Sequence, residues 1–234
     1  MATPVTRIQL EERLHTHLTN HYMQLHGTLV SIALGAAAFA ASSLATATPG
    51  QADSRGILWV MWVGGLLAIA VVYAGTVTGA FTLPAGIPSL WDLVFPLLIS
   101  LAQFMVFGVL TRTVAPFTNP DKIVQWWFFG MAGVGGFAAI AIMRARHLVK
   151  GSSYETDLGR AISYYKERLK SDAMGASLLA LISSLAGSLV ASGVIHLTSA
   201  WTYVFVSAAV AVLAIGVWMH HITGRKLGKK LRQP

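Results

Sequence analysis

The chain has 234 residues, of which 55% are hydrophobic and only 11% charged, and its mean hydropathy is +0.62. About a quarter of an ordinary soluble domain is charged, so this composition excludes a globule coated for water. The net charge is +8, and the absence of cysteine excludes disulfides, thiolate metal sites and thiol redox chemistry.

Residues 1–26 are polar and periodic. Leu10, Leu14, Leu18, Tyr22 and Leu25 recur at spacings of three and four, which predicts an amphipathic helix over Thr6–His26. A cleaved signal peptide has a short apolar core and a cleavage site. This segment has neither and is not expected to be one. His17 and His21 share a face of the helix, but no carboxylate or cysteine completes a metal motif, so no metal or other cofactor is expected.

Residues 27–143 hold four charge-free stretches, Gly27–Thr46, Ile57–Phe81, Leu93–Leu110 and Ile123–Met143. About 20 helical residues cross a hydrocarbon core of roughly 30 Å, so each is long enough to span. Thr48-Pro49-Gly50, then Pro84, Gly86 and Pro88, then Pro116, Asn119 and Pro120, mark the turns between them. Trp59, Trp62, Trp91, Trp126, Trp127 and Trp201 fall near span ends, where an interfacial belt is expected.

Within these spans three features stand out. Ala33, Ala37, Ala41 and Ala45 recur every four residues in the first span, a small-residue stripe suited to close helix contacts or a pore lining. Asp92 is read as the acid near an apolar run, with Ser89 placed to cap it and Pro96 placed to kink the helix. Gln103 is the most deeply placed strongly polar side chain, suited to an interhelical hydrogen bond. The fourth span is rich in small residues, with Gly130, Ala132, Gly133, Gly135 and Gly136, which suggests close packing or a bend.

Residues 144–172 form a basic loop. After a break at Gly151-Ser152-Ser153, Leu158, Ile162, Tyr165 and Leu169 predict a second amphipathic helix, Glu155–Asp172, that leads into the fifth span. Residues 173–222 hold the last two spans, Ala173–Leu197 and Trp201–Ile222. Ala176, Ala180, Ser184, Ser188 and Ser192 repeat the four-residue stripe in the fifth. An amphipathic helix thus feeds a membrane hairpin twice. Residue identity between the copies is poor, so shared packing demands explain the repeat better than duplication. The second copy, Ile162–Ile222, resembles in pattern alone the small pore-forming modules of bacterial conflict systems. Residues 223–234 are a basic tail in which Arg225, Lys226, Lys229 and Lys230 suit anionic lipid headgroups.

Fourteen of the seventeen lysines and arginines fall in the N-terminal segment, the 144–172 loop and the tail; only Arg55, Arg112 and Lys122 fall on the other side. By the positive-inside rule both termini are cytoplasmic. The expected fold is therefore all-α. It is a polytopic integral membrane protein of six transmembrane helices with two amphipathic cytoplasmic juxtamembrane helices, placed in a bacterial inner (plasma) membrane.

The positive charge serves topology, so nucleic acid is not an expected partner. The expected partners are the lipid bilayer, anionic headgroups, further copies of the chain and a cytoplasmic protein. GxSxG, HExxH and Walker motifs are missing, and the spans contain no lysine for a retinal Schiff base, so no enzyme is expected.

The expected function is an oligomeric channel or pore with a cytoplasmic helical collar. The alternative is a non-transporting anchor or accessory subunit, for instance of a defence or stress system, that binds a partner through Leu10, Leu14, Leu18, Leu158, Ile162, Tyr165 and Leu169. A secondary transporter ranks third, because ionisable residues at mid-depth are lacking.

Overall fold

The structure is a computed structural model and describes residues 7–46, 52–82, 90–111, 119–150 and 156–231. They form six helices: α1 (Arg7–Thr46), α2 (Ala52–Thr82), α3 (Leu90–Leu110), α4 (Pro120–Lys150), α5 (Thr156–Ala191) and α6 (Ala200–Leu231). No strand occurs among the described residues. Five helices contain segments long and apolar enough to cross a membrane; the apolar part of α3, Val94–Leu110, is shorter. The turns placed at Thr48-Pro49-Gly50, Pro84–Pro88, Pro116 and Gly151–Ser153 lie outside the described residues.

α1 and α5 are each unbroken, running from polar N-terminal turns into the apolar segments Met23–Thr46 and Glu167–Ala191. Helix forms across the junction because no proline or glycine pair interrupts it, and helix is the one local structure that satisfies its own backbone in lipid. Pro96 lies inside α3. Its missing N–H leaves the carbonyl of Asp92 without its helical donor.

Packing arranges the helices in a ring. α1 packs on α2 and α3, α3 on α4, α4 on α5, α5 on α6, and α6 returns to α2, which also reaches α3 and α4. The ring order puts α1 and α5 across from each other. The closest approach is between α4 and α5. A Cβ at Gly135 would lie 2.7 Å from the backbone of both Ala176 and Ala180, so only glycine fits there.

The interior is filled. Trp127, Phe107, Phe128, Leu44, Ile57 and Met61 are all fully buried. The outer surface carries Phe39, Leu101, Leu181 and Ile215, as expected of a surface solvated by hydrocarbon. Exposed Trp201 and Trp218 lie seventeen residues apart on α6, about 26 Å along a helix, which brackets a hydrocarbon core.

Trp127, expected in the belt, instead sits in the core and donates its Nε1–H to the carbonyl of Met61 at 3.2 Å. Trp126, one residue earlier, is the exposed one. Adjacent residues on a helix point about 100° apart, so the pair divides between lipid and core.

The fifth helix ends earlier than its apolar run. α5 stops at Ala191 because Gly193 takes φ of +73°. Val194 N–H then bonds Leu189 O at 3.0 Å and Gly193 N–H bonds Val190 O at 3.1 Å, the two bonds of a Schellman stop. Hydropathy alone does not register this turn, since Val194, Ile195 and Leu197 beyond it are apolar and the last two are buried.

Candidate functional site

Contacts between helices define two poles. His26 of α1 stacks on Tyr73 of α2 at 6.1 Å, and a Cβ at Gly75 of α2 would meet the His220 ring of α6 at 3.7 Å. These groups, with Arg168 and Asp172 of α5, form the basic pole. Asp121 at the start of α4 and the α5–α6 turn form the opposite pole.

At the basic pole a charged junction joins α5 to α6. Arg168 and Asp172 lie one helical turn apart on α5, and Arg168 Nη2 is 2.6 Å from Asp172 Oδ1. His220 Nε2 of α6 is 3.9 Å from Asp172 Oδ2. The three side chains are nearly closed to solvent, at 6% for Arg168, 13% for Asp172 and 11% for His220. Arg168 Nε and Nη1 are buried with no hydrogen-bond acceptor among the described residues. A buried donor left this way costs about 1–3 kcal/mol, so the junction holds an unfilled demand for an acceptor.

Charged groups inside an apolar bundle are rare and mark functional positions by default. The sequence points to Asp92 as a helix-capping acid, and its side chain lies outside the described ones. Asp172 is the one that the described structure places in a buried ion pair. Its signal lay in the sequence: Asp172 immediately precedes the charge-free run from Ala173, and Arg168 precedes it by four residues, the spacing of a helical ion pair.

At the opposite pole Asn119 caps α4, its side-chain oxygen accepting Asp121 N–H at 2.9 Å, with Pro120 in the first helical position where its missing N–H is harmless. Asp121 then reaches the α5–α6 turn. Its carboxylate accepts Leu197 N–H at 2.7 Å and contacts His196 Nδ1 at 2.9 Å. Thr202 Oγ donates to His196 O at 2.6 Å, which closes the turn onto α6.

The stripes behave unlike a straight face. Ala33 and Ala37 are buried, and Ala37 O accepts Trp62 Nε1–H at 2.8 Å. Ala41 is half-buried and Ala45 exposed, while Ala40 and Leu44 continue the buried line. On α5, Ala176 and Ala180 are half-buried beside Gly135, but Ser184, Ser188 and Ser192 are exposed. The buried line there runs through Leu179, Ser183, Ala186 and Val190. A step of four residues overshoots a turn by about 40°, so a strict four-residue repeat winds around the helix.

Gln103 is buried in α3 and donates Nε2–H to Ala68 O of α2 at 3.4 Å. Leu169 is buried within the chain, and Arg225 is exposed. The side chains of Asp92, Leu10, Leu14, Leu18, Leu158, Ile162, Tyr165, Lys226, Lys229 and Lys230 lie outside the described ones. No group of three or more histidines and carboxylates suited to a metal ion occurs among the described residues. No protein-family model, curated protein or solved structure matches this chain.

Proposed function

We propose that the chain is a six-span integral membrane protein with both termini cytoplasmic, and that copies of it assemble into a channel-like pore. The observation that carries this reading is the placement of polarity. The middle of the single bundle is filled by Trp127, Phe107 and Phe128, whereas Ser184 and Ser188 lie on the outer surface of α5. A pathway for ions therefore runs between subunits rather than through one. Small and hydroxyl-bearing side chains are the ones that bring transmembrane helices together.

The 14-to-3 division of basic residues supports the orientation. Single cysteines introduced at Arg7 and Arg225 report it directly, because the chain has none of its own. Both are expected to react with a membrane-impermeant thiol reagent only from the cytoplasmic side.

The function itself is tested by particle mass in mild detergent and by ion flux in liposomes containing the purified protein. A homo-oligomer with flux is expected; a strictly monomeric particle without flux refutes the reading. A second reading, an anchor or accessory subunit, is favoured by the unbroken continuation of α1 and α5 beyond their apolar segments. It predicts that Leu158→Glu with Ile162→Glu abolishes co-purification of a cytoplasmic partner without impairing membrane insertion.

A further inference from the structure

Asp172 faces an arginine of its own helix and a histidine of α6, and only the arginine is within hydrogen-bond reach. Arg168 Nη2 sits at 2.6 Å, whereas His220 Nε2 at 3.9 Å is beyond hydrogen-bond reach. The Arg168–Asp172 pair lies within one helix and ties nothing to α6. A His220–Asp172 pair would join two helices. The engaged partner is also the less satisfied one, since Arg168 Nε and Nη1 are buried without acceptors among the described residues.

We propose that this junction is a proton-binding switch, in which protonation of His220 draws the Asp172 carboxylate from Arg168 to His220 and frees the Arg168 guanidinium toward the headgroup layer. With His220 neutral, the junction holds one cation and one anion. One added proton gives it two cations and a single carboxylate, and a buried charge without a counter-charge is strongly unfavourable. Movement of one cation out to the interface restores neutrality. The long stem of arginine lets its head reach the interface, while the His220 ring is held beside Gly75 of α2. Proton balance is simple: one proton enters from water at the His220 ring and is released there on return.

The surrounding groups leave this role to His220. On α5, Glu167 and Lys170 are exposed, and on α6 so are His221 and Arg225. From α2 the group facing His220 is Gly75, with Tyr73 stacked on His26 of α1. The same end of α4 carries Arg144. Among the described residues, the basic side chains that face the Asp172 carboxylate are Arg168 and His220. The switch lies where α5 enters its apolar segment, so it couples the polar start of that helix to α6. It holds for a channel and for an anchor alike.

The test uses the full chain in lipid nanodiscs with spin labels on Ser171→Cys and His221→Cys, both exposed and each adjacent to a switch residue. The α5–α6 label separation is expected to be shorter at pH 5 than at pH 8. His220→Gln removes the proton acceptor and is expected to abolish that change. Arg168→Gln removes the competing partner and is expected to show the short separation at both pH values. A pH response that survives in His220→Gln, no response in the unsubstituted switch, or a long separation at pH 8 in Arg168→Gln overturns the proposal.

Discussion

Both poles of the bundle pair an aspartate with a histidine, and they are built for different work. Asp121 is fully used: one oxygen takes a backbone N–H and the other meets His196 at 2.9 Å. It staples the α5–α6 turn to α4, in a setting where His196 is 62% exposed. Asp172 is closed in and shared unequally between an arginine of its own helix and a histidine of the next. A carboxylate whose second bond goes to backbone has no alternative partner and acts as a fastener. One that faces two side chains has a choice, and a choice of partner is what a switch requires.

The comparison breaks first at Asp172. Asp172→Ala removes the counter-charge of Arg168, which costs up to about 3–5 kcal/mol, less what the guanidinium recovers by reaching the headgroup layer. Denaturant unfolding in detergent measures it, and a loss no larger than that of Asp121→Ala would erase the distinction between the poles. The next largest effect is expected between them, at Gly135→Val. Added volume there meets the backbone of α5, and overpacking of this kind costs about 1–3 kcal/mol. It should also separate α4 from α5, read as a longer distance between labels on the two helices.

At the opposite pole the two bonds of Asp121 can be told apart. Asp121→Ala loses both, for about 1–2 kcal/mol. Asp121→Asn keeps an acceptor for Leu197 N–H and is expected to lose less than half of that. The smallest effect is expected for His196→Gln, since an exposed pair contributes about 0–1 kcal/mol. Thermal unfolding of the three variants ranks them, and a His196→Gln loss equal to that of Asp121→Ala would mean that the ring, not the backbone bond, holds the turn.

Much of the architecture was legible in the residues. Charge-free runs bounded by proline, glycine and basic residues locate all six helices, because burial of backbone in hydrocarbon leaves few other structures. The inward faces were less legible. A four-residue repeat looks like one face in the sequence, yet it rotates by about 40° at each step, which takes α5 from Ala180 against α4 to Ser188 on the outside. Trp127 illustrates the same limit, since its neighbour Trp126 has the same chemistry and the opposite environment. The turn at Gly193 was hidden by the apolar residues after it, which are buried by contacts remote in the chain. The charged junction was within reach, as Arg168 and Asp172 are four residues apart at a span edge, but nothing in the sequence tells that His220 comes to meet them.

Disulfide cross-linking at Ser188→Cys, in native membranes of a chain with no other cysteine, bears most directly on assembly through the outward face of α5. Efficient covalent dimers are expected from Ser188→Cys and not from Ile215→Cys, an exposed position on α6. Absence of the Ser188→Cys dimer, or equal yields at the two positions, would contradict a pore built between subunits along α5.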